Sequence, residues 1–267
     1  MDQEIQAKYL VLQNIIKDYG QVLVAFSGGT DSTTLAKIAY DTLGSSAIAI
    51  TGESETLKEK ELLHAKILAK EIGISHQIIK TDELRKESFA SNPSNRCYYC
   101  KHELFSKLIE RARANKIPHI IEGSNVDDLS DYRPGYKAAQ EFNIKSPFLE
   151  AKLNKSEIRH LAKSLGISNW NKAAEPCLSS RIPYGTSIDL NNLRKIEAAE
   201  AFLDEIGFGY RRVRFHETIA RIEVNETDFL TLLKHREVIC KRFKELGFLY
   251  TTLDLKGYRM GSMNETL

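Results

Sequence analysis

Ser27-Gly28-Gly29-Thr30-Asp31-Ser32 is the first string in this chain whose residue types can do chemistry. Glycines let a backbone turn sharply and bring its N–H groups against phosphate oxygens. A helix starting at the end of the string would add the partial positive charge of its N-terminus. The hydroxyls of Ser27 and Ser32 can donate to the same oxygens, and Asp31 can hold Mg²⁺ or cap the helix. An ordinary strand-to-helix turn needs only the two glycines. The whole string, set after the apolar run Val22-Leu23-Val24-Ala25-Phe26, reads as a phosphate loop. No Gly-Lys-Ser/Thr follows, so it is not a Walker A loop.

The cysteines are the second reactive set. Cys97-X-X-Cys100 puts two thiols within reach of one metal or cluster, and Cys100 is expected at a helix start, which favours thiolate. By itself the pair is equally a redox dithiol, half of a zinc site or two packing cysteines. Structural zinc wants four ligands, and His102 is the only other early candidate. Cys177 supplies a third thiolate if the fold brings it close, and three thiolates suit a [4Fe-4S] cluster with one iron left open. Cys240, between Val238 and Phe243 in a helical pattern, reads as a core residue.

Elements that could position these residues follow from periodicity. A helix over 5–18 precedes the strand 22–26. Helices are then expected from Asp31 to Leu43 and over 56–72, with strands at Ala47–Ile50 and His76–Ile79. A turn-rich stretch, Ser91 to Arg96, leads into a helix reaching Asn115, and His119–Ile121 is a fourth strand. Asn154-Lys155-Ser156-Glu157 has the form of a capping box. Strands alternating with helices imply an α/β fold with a doubly wound parallel sheet, whose ligands bind beyond the strand ends. The pattern then changes: a helix (Asn191–Ile206), strands at Tyr210–Phe215 and Ile219–Val224, a helix (Thr227–Leu246) and a strand (Phe248–Leu255) read as a smaller α+β domain. The division expected is 1–180 and 181–267.

Composition narrows the class. The 267 residues carry a net charge of +2, with 28% charged and 42% hydrophobic residues. That is an ordinary globular balance, too weakly basic for a nucleic-acid surface. No apolar stretch is long enough to cross a membrane, and Met1-Asp2-Gln3-Glu4 does not open a signal peptide. A cytoplasmic location with reduced thiols is the expectation.

The phosphate-loop string and the alternating layout of 21–165 resemble the PP-loop ATP pyrophosphatase superfamily, whose members cleave ATP between the α and β phosphates. Gly123-Ser124-Asn125 follows the fourth strand, where such proteins approach the nucleotide, and Asp127, Asp128 and Asp131 come next. An acidic cluster is usually a solvated loop, with a Mg²⁺ or catalytic role as the rival reading. Further strings narrow the resemblance: Asp131-Tyr132-Arg133-Pro134-Gly135, Asn169-Trp170-Asn171-Lys172, Ser179-Ser180-Arg181-Ile182-Pro183-Tyr184-Gly185, Val213-Arg214-Phe215-His216 and Ala220-Arg221-Ile222-Glu223. Together they are similar to the LarE family of pyridinium-biscarboxylate sulfur transferases, over nearly the whole chain.

That resemblance implies ATP-dependent adenylation of a substrate carboxylate, replacement of oxygen by sulfur to give a thiocarboxylate, and a ring-shaped homo-hexamer. It implies nucleotide contacts from Ser27, Gly28, Gly29, Asp31, Ser32, Gly123 and Asp127, and reaction-centre roles for Cys177, Asp31 and Ser180. It gives substrate binding to Arg212, Arg214 and Lys101. On residues alone, Arg212 and Arg214 share one strand face, and a salt-bridged sheet would be the plain reading. Glu200, Glu223 and Asp228 match acidic positions at the family's subunit junction, as a metal or contact cluster. Trp170 reads as packing. One branch of the family sacrifices the sulfur of a single cysteine. Here Pro176 occupies that place, Cys177 sits one position on, and Cys97 and Cys100 are extra, so the chain is similar instead to a branch using a [4Fe-4S] cluster. Rival readings are a PP-loop tRNA thiolase or amidotransferase, and a nucleotide-binding sensor without chemistry.

Overall fold

The computed structural model describes residues 2–129, 134–259 and 262. They divide into two compact units: residues 1–83 with 95–175, and 84–94 with 176–267.

The first unit opens with helix α1 (Gln3–Tyr19), then strand β1 (Val22–Ala25), α2 (Thr30–Leu43), β2 (Ala47–Glu53), α3 (Glu59–Ile72) and β3 (Ser75–Lys80). A short helix α4 (Glu87–Ala90) belongs to the second unit. The first unit resumes with α5 (Arg96–Ala114), β4 (His119–Ile121), α6 (Pro134–Glu141), α7 (Pro147–Glu150) and α8 (Lys155–Ser164). Strands pair in parallel in the order β3-β2-β1-β4. Chain order therefore reverses between β1 and β4, which is where open α/β sheets hold ligands.

Alternation along β1 feeds two cores. Val22 and Val24 pack with Leu35, Ile38, Leu68, Phe148 and Leu161 on one face. Leu23 packs with Phe105, Leu108 and Ile120 on the other. Helix ends follow their sequence signals. Gly44 and Gly73 close α2 and α3 with positive φ. Asn154 and Glu157 form the expected capping box on α8.

The second unit adds α9 (Leu190–Glu205), β5 (Arg211–His216), β6 (Ile219–Val224), α10 (Phe229–Lys234), α11 (Arg236–Glu245) and β7 (Tyr250–Leu253). β6 pairs antiparallel with β5 and parallel with β7. Its core includes Leu193, Ile196, Val213, Phe215, Phe243 and Phe248. The single helix expected over 227–246 is two, broken at His235. Cys240 is exposed, not buried as its neighbours implied. Ile239 and Phe243, four apart, are the residues α11 buries, and Cys240 is rotated off that stripe. Among the described residues no helix is long and apolar enough to cross a membrane.

Candidate functional site

The phosphate loop leaves the end of β1 and turns into α2. Gly28 has φ of 73°, and a Cβ there would lie 3.0 Å from the Ala65 Cβ on α3. Only glycine meets both demands without strain. The N-cap of α2 is Gly29, and no side chain caps that end. Asp31 therefore lies inside the first turn rather than capping it, where its charge favours the helix dipole. Hydroxyls hold the loop's shape. The Ser27 and Ser32 Oγ atoms are 3.1 Å apart, the Ser27 N–H donates to Ser32 Oγ at 3.2 Å, and Thr33 Oγ1 donates to the Gly29 carbonyl at 2.8 Å. Just upstream, the Thr51 hydroxyl donates to the Phe26 carbonyl at 2.6 Å and lies 2.8 Å from His76 Nε2. Burial lowers the His76 pKa, with a smaller push from Lys66.

Asn169 closes the loop from outside, a role its sequence string did not disclose. It is 5% exposed. Its Nδ2 donates to the Gly28 carbonyl at 3.0 Å and to Thr33 Oγ1 at 3.4 Å, while its own backbone carbonyl accepts from Thr30 Oγ1 at 2.9 Å. Nearby, Lys172 Nζ donates to Glu61 Oε2 at 2.6 Å and to His64 Nδ1 at 2.8 Å. Burial and then Lys172 hold the His64 pKa down.

Across the β1–β4 switch, a Cβ on Gly123 would sit 3.3 Å from Asp31 C and Ser32 N, so β4's loop presses backbone to backbone on the start of α2. The acids after it have structural partners. Asp128 Oδ2 accepts from the Asn125 N–H at 3.0 Å, and Asp127 Oδ2 accepts from the Lys155 N–H at 2.9 Å. Asp131 lies outside the described residues.

Cys97 and Cys100 both lie on α5, one turn apart. Because α5 begins at Arg96, Cys97 occupies the first turn and Cys100 the second, so the helix start favours Cys97 rather than Cys100. Cys100 Sγ is 3.9 Å from an oxygen of Glu83, a carboxylate 1% exposed that also accepts from Thr56 Oγ1 at 3.2 Å. Lys101 lies over the Phe105 ring at 5.2 Å, and a Cβ on Gly135 would meet its Cγ at 2.9 Å.

The second unit holds Cys177, Ser180, Arg181, Glu200, Arg212, Arg214 and Glu223. Its centre is Arg181, 0% exposed. Arg181 forks onto Glu200, Nε to Oε1 at 2.9 Å and Nη2 to Oε2 at 3.0 Å. Its Nη1 donates to the carbonyls of Pro176 at 2.6 Å and Cys177 at 3.1 Å, and to Ser180 Oγ at 2.9 Å. The Ser180 N–H and hydroxyl also donate to the Cys177 carbonyl, at 3.0 and 2.8 Å. Hydrogen bonds from Arg181 and Ser180 thus fix the backbone that carries the Cys177 thiol. In the sequence a buried arginine looks like a surface one until its partner is seen, so Arg181 gave no signal of this role.

Arg212 and Arg214 share a face of β5 with Glu223 and Arg221 opposite them on β6. Arg214 donates to Glu223 Oε2 at 2.7 Å, to Ser262 Oγ at 2.8 Å and to the Ser180 carbonyl at 2.9 Å. Arg212 stacks over Tyr258 at 5.1 Å. Glu200 and Glu223 are thus each engaged by a buried guanidinium, and Asp228, half-buried, ends the turn before α10. Burial, then Arg221 and Arg214, lowers the pKa of His216 at the end of β5. Among the described residues no group of three His, Cys, Asp or Glu side chains is arranged to hold a metal ion. Cys97 and Cys100 belong to one unit and Cys177 to the other, so neither unit alone assembles all three thiols.

Comparisons with known proteins bear on the same regions. The sequence profile described as NAD synthase matches residues 4–117, which span the phosphate loop and the first three strands. An uncharacterised protein of Synechocystis is 41% identical over 96% of this chain and 97% of its own length. The pyridinium-3,5-bisthiocarboxylic acid mononucleotide synthase of Lactiplantibacillus plantarum is 39% identical over 98% of this chain and 96% of its own. The chain belongs to the family of that synthase. A more distant relative, one of the subunits of the glutamine-hydrolysing GMP synthase of Sulfurisphaera tokodaii, is 26% identical over 55% of this chain and 44% of its own. The NAD synthase profile covers the phosphate loop, and the match to the bisthiocarboxylic synthase runs over nearly the whole chain.

Proposed function

We propose that this chain is an ATP-dependent sulfur transferase that adenylates a carboxylate of pyridinium-3,5-biscarboxylic acid mononucleotide and converts it to a thiocarboxylate. The observation that carries the reading is the phosphate loop, in a chain 39% identical over nearly its whole length to a synthase of the bisthiocarboxylic product. The loop offers the uncapped N-terminus of α2, and hydroxyls from Ser27 and Ser32, to ATP phosphates. Gly123 leaves room for backbone to approach the same place. Mg²⁺ would neutralise the departing pyrophosphate; Asp31 and the exposed Asp127 are the carboxylates of suitable chemistry.

Arg212 and Arg214 would hold the anionic substrate, with Lys101 and Ser180 as lesser contacts. Two guanidiniums on one strand face are of suitable chemistry for an anion, which supports that reading. Cys97, Cys100 and Cys177 would be the ligands of a [4Fe-4S] cluster, and thiolate donors one helical turn apart fit a shared iron centre. When bound, the cluster supplies a hydrosulfide nucleophile for the acyl adenylate. Arg181 and Ser180 would hold the Cys177 backbone still for that ligation. Glu200, Glu223 and Asp228 as a contact cluster, a homo-hexamer, a cytoplasmic location and a role in maturing a nickel-pincer enzyme are parts of the same proposal. Leu230, Leu249 and Tyr250, 75%, 69% and 63% exposed, are apolar surface an assembly could cover.

The test is an anaerobic turnover assay with the biscarboxylic mononucleotide. AMP and pyrophosphate should form only with substrate present. ADP and phosphate would overturn the phosphate-loop reading itself, and nucleotide binding with no cleavage at all would support the sensor instead. Iron and sulfide analysis of anaerobically purified protein, with intact mass after turnover, addresses the cluster. An unmodified chain giving more than one product per chain supports it. Dehydroalanine at Cys177 with no iron bound removes it.

A further inference from the structure

We propose that a cavity over helix α8 and Trp170 binds a small phosphate-bearing anion, apart from the phosphate loop. The cavity has a volume of about 370 Å³ and is lined by Lys155, Ser156, Arg159, His160, Lys163 and Trp170. That volume lies within the range of small-ligand sites, near its lower end.

Lys155, Arg159 and Lys163 are four residues apart and form one row on α8. Like charges at that spacing repel, so a row of three weakens its own helix. Several other helix cations of this chain are neutralised by acids a turn away: Lys8 by Glu4, Lys37 by Asp41, Lys137 by Glu141, Arg242 by Glu245. Among the described residues no carboxylate lies within ion-pair distance of any cation in the α8 row. The only acid of α8, Glu157, is engaged elsewhere, by Lys8 at 2.6 Å and the Asn154 N–H at 2.8 Å. Lys155 is also the first residue of α8, where the helix dipole disfavours a cation.

The remaining groups suit a phosphate. Arg159 donates one Nη2 bond, to the Lys172 carbonyl at 3.4 Å, while its Nε is buried with no hydrogen-bond partner. A guanidinium with donor capacity to spare is the group that best matches phosphate oxygens. Ser156 adds an exposed hydroxyl and His160 an imidazole. Lys163 rests over the Trp170 ring at 4.8 Å, which fixes the indole beside the charges. The acid nearest in the chain's hydrogen bonding, Asp127, is held by the Lys155 backbone N–H rather than by its ammonium. A local excess of positive charge, with no carboxylate paired to it among the described residues, is what an absent anion leaves behind.

Trp170 is the only tryptophan in the chain, so its fluorescence reports on this cavity directly. The experiment titrates the full-length protein with inorganic pyrophosphate and, separately, with AMP. Saturable change in Trp170 emission is expected with at least one of them. Affinity should fall about 10-fold or more for each cation removed, so Lys155→Gln/Lys163→Gln should bind at least about 100-fold more weakly. A control pair at exposed lysines elsewhere, Lys137→Gln/Lys241→Gln, should bind as the parent does. The tighter of the two probes tells a nucleotide phosphate from an inorganic one. Absence of any saturable change in the parent protein overturns the proposal. So does an affinity that is unchanged in the α8 pair, which would place the signal at the phosphate loop, or one that falls equally in the control pair.

Discussion

The phosphate loop and the Cys177–Arg181 segment are both irregular turns that fix a reactive position, yet they are built from opposite materials. The loop uses backbone and neutral hydroxyls, with Gly28 in the left-handed region and Asn169 bridging to its carbonyl. The Cys177 segment uses full charges: Arg181 and Glu200 are 0% and 1% exposed and bonded by two parallel contacts. A loop held by such short-range hydroxyl bonds costs little desolvation and can pass them to a visiting phosphate. A buried ion pair offers no such spare capacity, but it holds a backbone in one place and is expensive to break.

The largest effect expected from this contrast is at Arg181. Arg181→Met leaves Glu200 buried without its cation and should cost about 3–5 kcal/mol. Denaturant unfolding of the full chain measures it, and a loss under about 1 kcal/mol would mean that the Cys177 segment is not held by this pair. Asn169→Ala should cost less in stability, about 1–3 kcal/mol, because one neutral amide is lost from a buried network. Its mark should be on the loop: KM for ATP rising about 10-fold in the pyrophosphate assay. Equal loss of stability at Arg181 and Asn169 would erase the distinction between the two constructions. Gly28→Ala should destabilise by about 1–2 kcal/mol through its φ alone, and should abolish pyrophosphate release, since the added Cβ drives the loop off Ala65.

The smallest effect is a pH dependence. The pKa values of His64, His76 and His216 are lowered, chiefly by burial. Below the ordinary histidine range, about pH 6.5, the unfolded chain binds protons that these folded histidines refuse. Stability should therefore be full above that range and fall as pH drops through it toward the folded values. His76→Asn should flatten part of the fall in thermal unfolding between neutral pH and about pH 5.5. A Tm that rises on acidification would contradict the sign.

The same contrast explains what was legible in the sequence. Val22–Phe26 followed by glycines and hydroxyls announces both an element and its chemistry, because each residue acts through local geometry. The parallel sheet followed from the alternation of such runs, and the capping box of α8 from four adjacent residues. What stayed hidden depends on distant partners. Arg181 needs Glu200, nineteen residues on, and Asn169 reaches back to Gly28 across the unit. The helix broken at His235 and the exposed Cys240 were hidden for another reason. Cys240 turns on a small rotation about a helix axis, and the break on the backbone of the single residue His235, neither of which spacing alone fixes.

The central claim, that ATP bound at the phosphate loop activates a substrate carboxylate, has a direct isotopic test. The biscarboxylic mononucleotide is labelled with oxygen-18 in its carboxylates and turned over anaerobically with ATP, and the AMP formed is weighed by mass spectrometry. Adenylation followed by sulfur attack transfers one labelled oxygen to the phosphate of each AMP, with the product gaining one sulfur in its place. Unlabelled AMP, or ADP in place of AMP, would contradict the account.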